Sequence, residues 1–326
     1  MMIRQIAMIL GLVLLILSEA GAEVLVYKDK LGRDVSVAAP VKRAVIFQTY
    51  ELIPALGIWD RIAGIGRYAY KNDLMLASRP DIGKTIPSVG GGMDVNMEAL
   101  LKLKPDIVIT WTARPENIRF MEQQGLRVVS IYPESIAELY GVMEFFGGIF
   151  DKKKEMRRTI AGMEHIFSDV RKRVGNIPAN QKQKVLWLGS RQNAVACRTG
   201  VTNDMIAMIG GINPAAAIDQ RNADVSVETL VKWNPDVIFI WGNAVYGARD
   251  ILNNPQLQCL KAVRTGRVYK APAWSTWSPR LAPVVLWMAM KTYPDRFADV
   301  HLETVCDGFY KKTFGIPYRM VAGIEP

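Results

Sequence analysis

Histidine is nearly missing from this chain, with 2 in 326 residues, His165 and His301. That scarcity argues against a histidine-built site for bare zinc or manganese. Cysteine is also scarce: its 3 copies, Cys197, Cys259 and Cys306, all fall in the second half. There is no CxxC and no Cys/His cluster, so structural zinc is not indicated. An odd cysteine count allows at most one internal bridge, and a Cys259–Cys306 pair stays open. The Gly90-Gly91-Gly92 run is not a GxGxxG fingerprint following a strand, so dinucleotide binding has no motif. A P-loop, a GxSxG elbow and an HExxH helix are likewise absent. No nucleophile, acid/base pair or metal site emerges that would indicate an enzyme. Beyond the N-terminus no apolar run is long enough to span a bilayer.

What the N-terminus does contain is Arg4, an apolar run from Ile6 to Leu17, and the small residues Ala20-Gly21-Ala22. This order predicts a signal peptide over residues 1–22, cleaved after Ala22, and hence export. No cysteine lies near the cleavage site to carry a lipid, which favours a periplasm. The remaining chain suits two domains of ordinary size. The net charge is +10, with the excess in residues 151–173 and in the second half. Such a balance favours anionic partners. Nucleic acid is not expected, because no basic-aromatic motif is present.

The dominant internal feature is a repeat. Val95–Ala113 reads VNMEALLKLKPDIVITWTA, and VSVETLVKWNPDVIFIWGN begins at Val225. Val95, Glu98, Leu100, Lys102, Pro105, Asp106 and Trp111 recur as Val225, Glu228, Leu230, Lys232, Pro235, Asp236 and Trp241. Each copy predicts a short helix, a Pro-Asp turn and a buried strand ending in Trp. The separation far exceeds a solenoid period, so the repeat implies two similar domains. Strands alternating with helices predict α/β lobes with mainly parallel sheets. Between the copies, Lys152–Val174 carries Met156, Ile160, Met163, Phe167, Val170 and Val174 at helical spacing. That helix would run roughly 35 Å, long enough to cross between lobes. The expected organisation is therefore an N-terminal lobe at 23–150, a bridging helix at 151–175 and a C-terminal lobe at 176–326. Residues 71–93, polar and rich in Gly and Pro, read as a long loop.

These pieces resemble the periplasmic binding proteins that serve ABC importers of iron complexes, haem and cobalamin. The resemblance covers the mature chain. It rests on the paired E-x-L-x-K-x-x-P-D-x-V/I segments, the single long helix and the late Ser278-Pro279-Arg280 element. It implies two Rossmann-like lobes, a monomeric receptor without a resident cofactor, and an inner-membrane ABC permease dimer with its ATPase as partner. It also implies that Glu98 and Glu228 dock onto permease arginines. Asn96 and Ser226 are plausible N-caps that place each glutamate in a first helical turn. Complementing the helix dipole explains one such glutamate, but not both copies in the same register. A single stiff helix would confine closure to a small hinge motion.

In open α/β sheets ligands bind beyond the carboxyl ends of the strands. Applied to both lobes, this rule selects Tyr50, Arg67, Tyr68, Trp111 and Arg114 in the first. In the second it selects Arg191, Trp241, Tyr246, Trp274, Trp277 and Arg280. Arginine forks suit carboxylates and oxyanions, and Trp and Tyr supply flat area for a chelated ligand. The expected function is capture of a metal complex, ferric siderophore or haem ahead of cobalamin. Molybdate or tungstate is the alternative cargo, and an exported α/β enzyme or a sensor domain the alternative class.

Overall fold

The computed structural model describes residues 23–321 and 323, except Ala113. The signal-peptide expectation for 1–22 lies outside the described residues. An antiparallel hairpin opens the fold, β1 (Glu23–Lys28) with β2 (Asp34–Ala39). The first lobe then builds on β3 (Ala44–Ile46), β4 (Ile62–Ile65), β5 (Ile107–Trp111) and β6 (Val128–Ile131). These form a parallel sheet in the order β4-β3-β5-β6. The second lobe uses β7 (Val185–Leu188), β8 (Ala194–Ala196), β9 (Asn222–Asp224), β10 (Val237–Ile240) and β11 (Val268–Lys270). Its order is β11-β10-β7-β8-β9, parallel through β11, β10 and β7 and antiparallel at β8 and β9.

The repeat acquires a physical meaning here. Asp106 Oδ2 accepts hydrogen bonds from the backbone N–H groups of Lys42 (2.8 Å) and Arg43 (2.9 Å). Its counterpart Asp236 accepts from the Lys184 N–H at 2.6 Å. In each lobe this aspartate fixes the entry of the neighbouring strand, so the Pro-Asp turn sets the sheet register. Asn96 caps its helix by accepting from the Ala99 N–H, and Ser226 from that of Thr229.

The bridging helix runs from Lys153 to Val174. Its buried residues include Met156, Met163, Ile166, Phe167, Val170 and Val174, with Ile160 only partly buried. They join the inner faces of both sheets in one continuous core: Ile46, Ile109 and Val129 from the first lobe, Val185, Trp187, Val237 and Phe239 from the second. The alternate residues face outward into two smaller cores, Val45 and Val108 in one, Leu186 and Ile238 in the other. With both faces covered, the central strands read as nearly unbroken apolar runs. The helices Leu281–Thr292 and Leu302–Phe314 pack against the bridging helix and thicken the junction.

Residues 71–93 are not the uniform loop expected. Helices form at Asp73–Ser78, capped by Asn72, and at Ile82–Thr85. Leu74, Met75 and Ile82 are buried in the main core, so tertiary burial overrides the polar composition. Strands β8 and β9 were also not anticipated, since three-residue strands lack a usable period. The open cysteine bridge is not formed: all three thiols are free, with Cys197 and Cys306 buried and Cys259 exposed.

Candidate functional site

Three sets of side chains lie near strand ends of the two lobes, two of them in contact from lobe to lobe. Lowest is a buried ion cluster that ties lobe to lobe. Arg280, fully buried, donates from Nη1 to Asp73 Oδ1 (2.6 Å) and Glu51 Oε1 (3.2 Å). It donates from Nη2 to Asp73 Oδ2 (2.8 Å) and from Nε to the Tyr310 hydroxyl (2.7 Å). Its guanidinium lies over the Trp274 ring at 3.8 Å, and the Trp274 indole N–H donates to Asp73 at 3.2 Å. Asn72 donates to Glu51 at 2.7 Å. Glu51, Asn72 and Asp73 belong to the first lobe; Trp274, Arg280 and Tyr310 belong to the second.

This corrects three of the expected ligand residues. Arg280 does not flank an open groove, because two carboxylates and a phenol occupy its fork. Trp274 is buried against that fork. Tyr246 is buried too, and its hydroxyl donates to the Gly189 and Arg191 carbonyls at 2.9 and 3.0 Å. These three hold the walls. Tyr50 is partly buried and packs on the main core. The signal that could have exposed the cluster was the pair of carboxylates at Glu51 and Asp73, each close after a first-lobe strand.

Burial by itself would raise the Asp73 carboxyl, but the hydrogen bonds and charge of Arg280 outweigh it and hold Asp73 below the ordinary aspartate range. A depressed folded value means the stabilisation is fully present above the unfolded value, about 3.9. It is lost as pH falls through the folded value. Asp73→Asn is therefore expected to flatten the acid limb of stability below about pH 4. Urea midpoints across pH would show it, and superimposable acid limbs would contradict it.

The second set also joins the lobes. Arg221 pairs with Glu134 of the first lobe, which also binds Lys30 at 2.6 Å. The Arg221 guanidinium lies 4.3 Å from the Tyr132 ring centroid, and Tyr132 meets Trp277 edge-on at 4.6 Å. Burial pushes Glu134 up, while hydrogen bonds from Lys30 and Arg221 pull it further down, below the usual range. The Ile136 N–H also donates across the lobes to Asp204 at 2.8 Å. Arg221 escaped the strand-end rule because it precedes an antiparallel strand, whereas Glu134 follows β6.

The third set is the open rim. Arg67 and Tyr68 are exposed after β4, and Arg67 pairs with Asp94. Arg114 is exposed at the start of the helix Pro115–Gln123. Arg191 pairs with Asp224 at 2.5 Å, and Trp241 is partly exposed. Trp111 is partly buried beneath the Gly90–Asp94 turn. Among the described residues no group of three or more His, Cys, Asp or Glu could hold a metal ion. Glu98 and Glu228 are exposed in the first turns of their helices. Glu98 pairs with Lys102 at 2.6 Å, and the Ser226 hydroxyl helps hold Glu228 below the usual range.

Two lobes of mainly parallel strands are joined by one bridging helix. A family profile described as "Periplasmic binding protein" matches residues 47–273, and the chain belongs to that family. It is 26% identical to the molybdate-binding protein MolA of Haemophilus influenzae, over 89% of this chain and 91% of that protein. It is 26% identical to the ABC transporter substrate-binding lipoprotein YvrC of Bacillus subtilis, over 83% of this chain and 86% of that one. Helicobacter pylori CeuE, solved as a nickel–histidine complex, superposes with a TM-score of 0.81 at 25% identity, covering 91% of this chain and 98% of that one. Family members bind small ligands and work with ABC permease and ATPase components. The relatives are periplasmic or lipid-anchored, which supports a place outside the cytoplasm.

Proposed function

We propose that this protein is a periplasmic, monomeric receptor that takes an anionic, metal-bearing cargo into the interlobe cleft and hands it to an inner-membrane ABC permease. The lobes at 23–150 and 176–326 act as the two jaws, with the helix of 151–175 between them. The carrying observation is the composition of the rim. Arg67, Arg114 and Arg191 are exposed among Tyr68, Trp111 and Trp241 in segments after the strands, and Arg221 stacks on Tyr132 beside Trp277. Guanidinium forks recognise carboxylates and oxyanions, and rings accept a flat chelate. A metal would arrive within the cargo, held by its own ligands. Anionic ferric chelates and haem fit this chemistry. A molybdate or tungstate oxyanion is the second reading, favoured by the similarity to MolA along nearly its whole length. Docking is assigned to Glu98 and Glu228, which the repeat places at equivalent, exposed helix starts.

Thermal unfolding with molybdate, tungstate, ferric citrate, haem and cobalamin tests the cargo class. A cognate cargo at 100 times its Kd should add about 2.7 kcal/mol of stability. Stabilisation by bare divalent cations, with none from the anionic probes, would reject the proposal.

A further inference from the structure

The turn Gly90–Asp94 lies across two donors of the first lobe. Asp94 pairs with the Arg67 guanidinium, both side chains being largely exposed. Gly92 covers the indole of Trp111 so closely that a Cβ there would overlap Nε1. That Nε1 is buried and has no hydrogen-bond acceptor. Gly91 is less constrained: a Cβ there would come within 2.7 Å of Asp94 Oδ1, the end of a flexible side chain. The turn is closed by reciprocal bonds between the Gly91 and Asp94 backbones, each 3.2 Å. One bond ties it to the strand end, from the Arg67 N–H to the Gly90 carbonyl at 2.9 Å.

We infer that this turn is a displaceable cover and that Asp94 is an internal stand-in for the anionic group of the cargo. Binding exchanges the Asp94 carboxylate for a cargo oxyanion or carboxylate on Arg67, and the uncovered Trp111 indole N–H donates to the same group. The balance of interactions favours that exchange. An ion pair exposed on both sides is weak, whereas a buried donor without an acceptor is costly. A cargo anion that satisfies both donors replaces a weak contact and relieves a costly one. Asp94 also makes the site selective: a neutral ligand cannot compete for Arg67, while a ligand with several anionic oxygens can. The inference rests on the anionic-cargo reading above and extends it to a specificity residue.

The experiment is calorimetric titration of the full mature chain with sodium molybdate and with ferric citrate. It compares the native protein, Asp94→Asn and Arg67→Gln, substitutions at exposed side chains. The Trp111 indole N–H resonance, assigned through Trp111→Phe, is followed in parallel. Asp94→Asn should bind about threefold to fivefold more tightly, from removal of an exposed competing pair. Arg67→Gln should bind at least about tenfold more weakly, and the indole resonance should move on titration. Binding by Asp94→Asn that is equal to or weaker than native, or a fixed indole resonance while a probe binds, overturns the inference and leaves the receptor reading intact. If neither probe binds native protein or Asp94→Asn, the anionic-cargo reading itself fails and this inference falls with it.

Discussion

Arg280→Met is expected to lower the free energy of unfolding by about 3–5 kcal/mol, measured by urea denaturation. Glu51 and Asp73, both from the first lobe, would then remain at the lobe junction without the Arg280 cation that pairs with them. Glu51 is fully buried, and one of its carboxylate oxygens already has no hydrogen-bond partner. Such an uncompensated carboxylate is far more costly than the intact cluster is stabilising. The triple variant Glu51→Gln, Asp73→Asn, Arg280→Met should therefore recover most of the loss. Arg280→Lys should not, because an ammonium cannot fork to Asp73 while also reaching Tyr310 and stacking on Trp274. A loss below about 1 kcal/mol for Arg280→Met, the range of an exposed pair, would show that the cluster does not hold the lobes.

The largest functional effect is expected at Glu98 and Glu228. In the double variant Glu98→Arg, Glu228→Arg, transport should fall about a hundredfold or more, because like charges set against one another cost several kcal/mol. Cargo affinity should stay within about twofold, as expected for exposed sites at helix starts. Stability should change little, since the Glu98–Lys102 pair is exposed on both sides. Uptake assays in cells lacking the native protein, paired with calorimetry on the purified variant, separate the two effects. Normal uptake by the double variant would remove both glutamates from the docking surface.

The repeat made both lobes legible before any coordinates. Glu98 and Glu228, Pro105 and Pro235, Asp106 and Asp236 recur because the same helix, turn and strand entry are built twice. The stripe from Met156 to Val174 identified the bridging helix, since period 3.6 is visible over many turns. The cleft was legible only in part. The strand-end rule named Tyr50, Arg67, Tyr68, Trp111, Arg114, Arg191, Trp241 and Trp277, which keep at least partial exposure. It also picked Tyr246, Trp274 and Arg280, which are buried. It did not name Asp94, Arg221 and Glu134, which pair with residues distant in sequence. A strand end says where a loop starts but not which carboxylate will meet its arginine.

Sequence alone decided the architecture, because apolar periodicity and a repeated turn are local properties written along the chain. Which arginines face cargo and which bolt the jaws together was decided only by folding. That choice depends on Glu51 and Asp73 arriving beside Arg280 from the other lobe, more than 200 positions earlier in the chain. Pairing at that separation leaves no periodic trace, since it follows from how two sheets and one helix share a core.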